Sequence, residues 1–440
     1  MKLHFCIPAT QQRPDALGGR YVLYSVHLDG SLLCRVRYSQ LHRWDQQLRR
    51  VFGNCLPRFP PKHYLAMTPS MAEERRDQLE QYLQNVAVDP GMLRSDVFVD
   101  FWKLAQLDTF CISPEEASLD VFLPSGRSVQ VTVLTSDTTE TVLEVLSRRL
   151  GLCAELRDYF GLFLIGFQQE TEPSILKKLA VFELPFVSLR YAEVGSCRVE
   201  LRKWYLDPAL DARLIDCGAA LSLLYTQALQ DMEREWAKPT AAQRQELEAF
   251  QKEDNQPKFL ELAQGVQHYG HLQLDPCTCD FPEPGCAAKL AVGGGAIHCR
   301  VSLPDGQTRD VSFEMSSLRC WQVAFQGILL ATDGPPRAVQ YPELRLLYKE
   351  AGCWRWFVIY TRQAFLLSNC LQKMVSEKAA KLAAEDSEMQ IEDPGRGKGQ
   401  KCCILPSPNW KNYSTSRSRK SKVLTASANC VWGTIMEEDL

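Results

Sequence analysis

Four side chains near the start of the sequence, Arg37, Tyr38, Lys62 and Arg75, have the types and the spacing needed to hold an anion. Arg37 and Tyr38 sit in CRVRYSQLHRW, where a strand-like run gives way to a helix-like one; Lys62 follows Pro60-Pro61, and Arg75 lies in the first turns of a later helical segment. Cations carried on three different elements converge on one anion better than three in a row. A guanidinium offers a planar fork to phosphate oxygens, and an ammonium offers a point charge. The tyrosine beside the first arginine can lay its ring under a sugar-like ring. Each cation taken singly also reads as ordinary solvated surface charge. The combination shifts the balance toward a site.

Elements must bring these residues together. YVLYSVHL (Tyr21 to Leu28) and SLLCRVRY flank Asp29-Gly30, a pair that tolerates the positive φ of a tight turn, so a hairpin is expected. Ser39 is placed to cap the next helix, which carries Leu41, Trp44, Leu48, Val51 and Phe52 on one face and stops at Gly53. The loop LPRFPPKHY is too stiff for helix and lacks several backbone donors. Thr68-Pro69 then opens the helix that carries Arg75, and Ser95 caps another, SDVFVDFWKL.

From Ser118 the pattern resets. LDVFLPSG and RSVQVTVL surround a Ser-Gly turn, a helix capped at Asp137 or a neighbouring Ser/Thr follows, and YFGLFLIG, LAVFELPF and CRVELRKWYL read as strands of a small α+β unit. Asp207 to Gly270 reads as helices. Strands return from KLAV through WRWFVIYT, and a final amphipathic helix runs from about Arg362. Past Asp386, Gly, Lys, Ser and Pro dominate, a composition that cannot bury enough apolar surface to order itself. The last segment, NCVWGTIMEEDL, is aromatic and aliphatic and then acidic.

Composition removes several functions. Apolar residues make up 45% and the net charge is −3, so the chain is globular and too balanced to coat nucleic acid; no nucleic-acid partner is expected. The 17 cysteines are odd in number and scattered, and Met1 to Thr10 lacks the apolar core of a signal peptide, so free thiols in a reducing compartment are expected. Cys277, Cys279 and Cys286 come nearest to a metal motif, but no second CxxC or His pair completes it; no metal and no cofactor are expected. No apolar run approaches the roughly 20 residues that span a bilayer. There is no GxSxG, Walker loop or HExxH, and the glycines at Gly293 fall between strands, so no enzyme is expected.

The marks Arg37-Tyr38-Ser39, Pro60-Pro61-Lys62, and Arg75 followed by Leu79 and Tyr82 resemble the phox-homology (PX) domain, the phosphoinositide module of the sorting nexins. That resemblance implies that Arg37 holds the 3-phosphate of phosphatidylinositol 3-phosphate and that Tyr38 stacks on the inositol. It further implies that Lys62 reaches the 1-phosphate and that Arg75 binds the 4- and 5-hydroxyls. His63 stands where some relatives carry a second lysine, an exchange that weakens membrane attraction at neutral pH. The remainder looks like a FERM domain, with FLELAQGVQHYG closing the helical lobe and a strand-plus-helix ending to the third lobe. The expected fold is multidomain α+β. It comprises a PX domain with a three-stranded sheet plus helices (1–108), a ubiquitin-like F1 lobe (115–204) and a helical F2 lobe (205–272). A PTB/PH-like β-sandwich with a C-terminal helix, F3 (273–385), and a disordered tail (386–440) complete it.

A small PX–FERM subgroup of the sorting nexins joins these modules. Its resemblance implies a cytoplasmic sorting adaptor, peripheral on the early endosome, that carries receptors back to the plasma membrane and away from lysosomal degradation. Cargo would be NPxY or NxxY motifs in receptor tails, such as those of integrin β chains and lipoprotein receptors. The peptide would add a strand to the edge Ser316 to Phe325, with Trp321 as an apolar surface and Val375 facing it from the helix. Core positions are the competing reading for both. No arginine cluster accompanies that edge, so no dependence on phosphotyrosine is expected. The acidic-leucine ending, with Trp432, Ile435, Asp439 and Leu440, would engage the retriever complex of the Commander assembly. Asn429-Cys430-Val431-Trp432 also imitates NxxY, so the tail could fill its own cargo groove. A FERM-type scaffold for cytoskeleton or small GTPases is the alternative function.

Overall fold

The first sheet shows how the sequence positions the anion site. In the computed structural model, which describes residues 3–15, 19–62, 68–167, 173–192, 196–325, 342–391 and 428–434, β1 (Phe5–Pro14), β2 (Arg20–Leu28) and β3 (Ser31–Arg37) pair antiparallel in that order. The hairpin turn falls at Asp29 (φ 50°) and Gly30 (φ 82°), as expected for a pair tolerant of the left-handed region. Helix α1 (Tyr38–Phe52) starts directly after β3. Its N-cap is Arg37 rather than Ser39, and the Gln40 side chain accepts the Arg37 backbone N–H at 2.8 Å. Leu41, Trp44 and Leu48 are buried and Phe52 is half-buried against the same core, whereas Val51 is 59% exposed and leaves the expected apolar face. Thr68 caps α2 (Pro69–Val86); α3 (Pro90–Leu93) and the Ser95-capped α4 (Asp96–Phe110) close the first core around Trp44, Phe98 and Trp102.

The next lobe is a five-stranded sheet of β4 (Glu116–Phe122), β5 (Ser128–Leu134), β6 (Phe160–Phe167), β7 (Ser174–Lys178) and β8 (Ser196–Lys203), ordered β5-β4-β8-β6-β7. Among the described residues only β4 and β8 pair parallel, and α5 (Thr139–Leu150) crosses between β5 and β6, the ubiquitin-like arrangement. LAVFELPF is not the strand expected. SILKK pairs with β6 instead, and Pro185, which has no N–H to give a ladder, opens the short α6 (Pro185–Arg190). Ala180 and Phe182 are spent on the core of the first domain.

Three helices, α7 (Gly218–Glu233), α8 (Ala241–Lys252) and α9 (Gln256–Ala263), share a core with that sheet. The last lobe holds β9 (Leu272–Gln273), β10 (Cys277–Cys279), β11 (Cys286–Gly293), β12 (Ala296–Ser302), β13 (Thr308–Glu314), β14 (Leu318–Phe325), β15 (Glu343–Glu350) and β16 (Cys353–Tyr360). Helix α10 (Ala364–Ile391) packs Leu366, Leu367, Cys370 and Leu371 onto them. The order is β13-β12-β11-β10-β16-β15-β14-β17, where β17 is Ala428–Thr434. Two features correct the expectation of disorder from residue 386: α10 continues to Ile391, and β17 is a strand. Composition describes the average of a segment, and β17 gains its order from a partner strand.

Candidate functional site

Arg37 ends β3, exposed, with its guanidinium carbon 3.4 Å from the centroid of the Tyr21 ring on β2. That cation–π contact lays the guanidinium across the sheet surface. Tyr38, half-buried at the start of α1, donates its hydroxyl to the Pro60 carbonyl at 2.8 Å. Its ring also meets His42 and Phe59, at 5.8 and 5.6 Å between centroids. The Arg75 guanidinium carbon lies 4.4 Å from the Tyr38 centroid. Tyr38 therefore joins three elements: the start of α1, the proline loop that presents exposed Lys62, and α2.

Arg75 is buried, at 6% exposure. It lies beside the Tyr24 phenol, whose pKa is pushed up by burial and pulled back by the Arg75 charge. The proline loop is held at a second point, where Arg49 Nη2 donates to the Pro57 carbonyl at 2.6 Å. Arg49 Nε also pairs with Asp45 at 2.9 Å, and Asp45 accepts the Tyr82 hydroxyl at 2.8 Å. Tyr21, His42 and Phe59 escaped the sequence reading. Hairpin register carried a signal for Tyr21: Leu23 opposes Arg37, which puts Tyr21 on the same face one diagonal step away.

The second site is the free side of β14. Its other side pairs with β15, and β17 lies antiparallel along it with Asn429 opposite Ala324, Cys430 opposite Val323 and Val431 opposite Gln322. Register shifts between Trp321 and Gln322, so Trp432 is the extra residue before Gly433 pairs with Trp321. Trp321 itself is 2% exposed and donates its Nε1–H to Ser368 Oγ on α10 at 2.9 Å. Its side chain serves the core and the helix, and its backbone faces the added strand. Val375 is half-buried against the same core, and α10 touches β17. Ile435, Asp439 and Leu440 lie outside the described residues.

Four family models match successive parts of the chain. They are the PX domain (24–104), the sorting nexin 17/27/31 FERM F1 lobe (117–206), the sorting nexin 17/31 FERM F2 lobe (207–267) and the sorting nexin 17 FERM C-terminal domain (270–379). Sorting nexin-31 of Homo sapiens is 64% identical over 100% of both chains. The chain belongs to the PX–FERM sorting nexins. Sorting nexin-31 of Xenopus tropicalis is 41% identical over 89% of this chain and 91% of its own. Sorting nexin-17 of Homo sapiens is 40% identical over 86% and 82%. A sorting nexin with these modules is a sorting adaptor whose PX domain addresses phosphoinositides and whose FERM domain addresses cargo. Among the described residues, no helix is long and apolar enough to cross a membrane.

Proposed function

We propose that this sorting nexin binds phosphatidylinositol 3-phosphate on early endosomes and NPxY or NxxY motifs in receptor tails, and so returns receptors to the plasma membrane. Arg37 takes the 3-phosphate, Tyr38 supports the inositol, Lys62 meets the 1-phosphate and Arg75 contacts the hydroxyls from below. Cargo adds a strand to β14, beside α10, with the Trp321 backbone at the edge and Val375 facing the peptide from the helix. Ile435, Asp439 and Leu440 dock the retriever complex.

The observation that carries the cargo half is the pairing of β14 with the chain's own Asn429-Cys430-Val431-Trp432 segment, whose asparagine precedes an aromatic at the NxxY spacing. Main-chain bonds of this kind supply the affinity in strand addition, and side-chain pockets supply the choice. Tail and cargo compete for one edge. A tethered strand acts at an effective concentration that reaches about mM, enough to hold off a weak peptide. Titration calorimetry tests this with an NxxY peptide, on the full chain and on a chain lacking residues 428–440. The shortened chain should bind several-fold more tightly. Equal affinity would place cargo elsewhere.

A further inference from the structure

Two histidines at the end of the helical lobe meet a third from the sheet lobe. His268 follows α9 in the left-handed region (φ 62°), His271 immediately precedes β9, and His298 lies on β12. Their ring centroids are 4.9, 5.2 and 5.3 Å apart, and one nitrogen from each ring lies within 4.8 Å of the others. His271 Nδ1–H donates to the Tyr269 carbonyl at 3.1 Å, which leaves the lone pair on Nε2. That Nε2 is buried without a hydrogen-bond partner. A backbone carbonyl fixing the tautomer while the opposite nitrogen points inward is the support that metal-ligating histidines have.

Room for the third ring is made by the glycine turn. A Cβ at Gly293 would stand 3.0 Å from both Cα and Cγ of His271, and one at Gly294 would stand 3.4 Å from its Cε1. The glycines therefore seat His271 against the β11–β12 turn as well as reversing the chain. Burial brings the His271 pKa down to about 4 against the opposing hydrogen bond to the Tyr269 carbonyl, with smaller lowering from the neighbouring histidines and Lys203. Burial and the charges of His298, Lys238 and Arg300 lower His268 as well.

We propose that His268, His271 and His298 form a binding site for a divalent transition-metal ion of the zinc type, bridging the helical lobe to the sheet lobe. Imidazole suits zinc, and bonds of about 2.0–2.1 Å require the nitrogens to draw in by about 1 Å. Three histidines leave a fourth position, which opens toward a cavity of about 430 Å³ lined by Trp236, Lys238, Arg300 and Asp310. Arg300 is matched by Asp310 at 2.7 and 3.0 Å, so its charge opposes the ion weakly. Lys238 favours an anion or hydroxide in the fourth position. The cysteines that looked nearest to a metal motif do not compete: Cys277 and Cys279 donate to the carbonyls of Ala288 and Phe281, at 3.5 and 3.3 Å.

The test uses the full, reduced chain, stripped with chelator and dialysed against zinc or cobalt(II). Elemental analysis should find one ion per chain, and the cobalt form should absorb without a thiolate charge-transfer band. His271→Gln and His298→Gln should each weaken binding at least tenfold, while Cys279→Ser keeps it. Zinc should raise the melting temperature of the wild type and leave that of His298→Gln unchanged, because the ion joins two lobes. His298→Gln is kept as the second variant because its partly exposed strand position tolerates the change. A wild-type chain that retains no ion, a thiolate band, or unaltered binding by His298→Gln would each overturn the proposal.

Discussion

Arg37 is the residue on which the lipid reading turns. It is exposed, its guanidinium rests on Tyr21, and only its backbone N–H takes part in starting α1. Arg37→Gln should therefore leave the fold unchanged by circular dichroism and weaken binding to phosphatidylinositol 3-phosphate vesicles by about 1.5–3 kcal/mol, the scale of a charged hydrogen bond. Wild-type sedimentation with such vesicles would remove Arg37 from the site. Arg37, Tyr38, Lys62 and Arg75 were legible because their order along the chain is a pattern. The burial of Arg75 was not, since it depends on Tyr38 and Tyr24 arriving from two other elements.

At the scale of elements, the exchange between β14 and β17 is backbone chemistry. Val431 opposes Gln322, and a proline there removes the strand's N–H and resists the extended ladder. Val431→Pro should raise NxxY peptide affinity in the full chain almost as far as deletion of 428–440 does, measured by the same titration. No change would mean that the tail strand does not guard the groove. The imitation of NxxY in Asn429 to Trp432 was visible as spacing and pointed to this groove, yet the register was not, because it is set by contacts distant in sequence. The same blindness displaced the strand expected at LAVFELPF: alternation there answers to the first domain's core, which Phe182 enters.

Across the whole molecule, the PX and FERM parts are joined by a buried polar cluster. His4 Nδ1 meets Asp29 at 2.7 Å, His4 Nε2 meets Ser368 Oγ at 2.9 Å, and Asn369 donates to Asp29 at 3.2 Å. The Trp321 indole N–H donates to the same Ser368, so a side chain of the cargo-edge strand and the first domain share one hydroxyl. Module order was readable from motifs. This junction was not, because His4, Asp29 and Ser368 carry no mark of meeting one another.

Burial raises the Asp29 pKa, but His4, Lys177 and Asn369 outweigh it and hold the carboxyl below its ordinary 3.8. A depressed folded pKa stabilises above the unfolded value and is lost as pH falls through the folded one. Wild type should therefore lose more stability than Asp29→Asn as pH drops below about 4, read by calorimetry. Parallel curves would discharge Asp29 from that role.

The central claim is that one chain reads lipid and cargo together. Two weak sites on a single chain gain avidity only when both ligands lie on the same surface. Vesicles carrying phosphatidylinositol 3-phosphate and an anchored NxxY peptide measure this directly, against vesicles with either ligand alone. Capture by the doubly decorated vesicles should exceed the sum of the other two by at least tenfold and collapse with Arg37→Gln. Capture no stronger than that of the better single ligand would contradict the account.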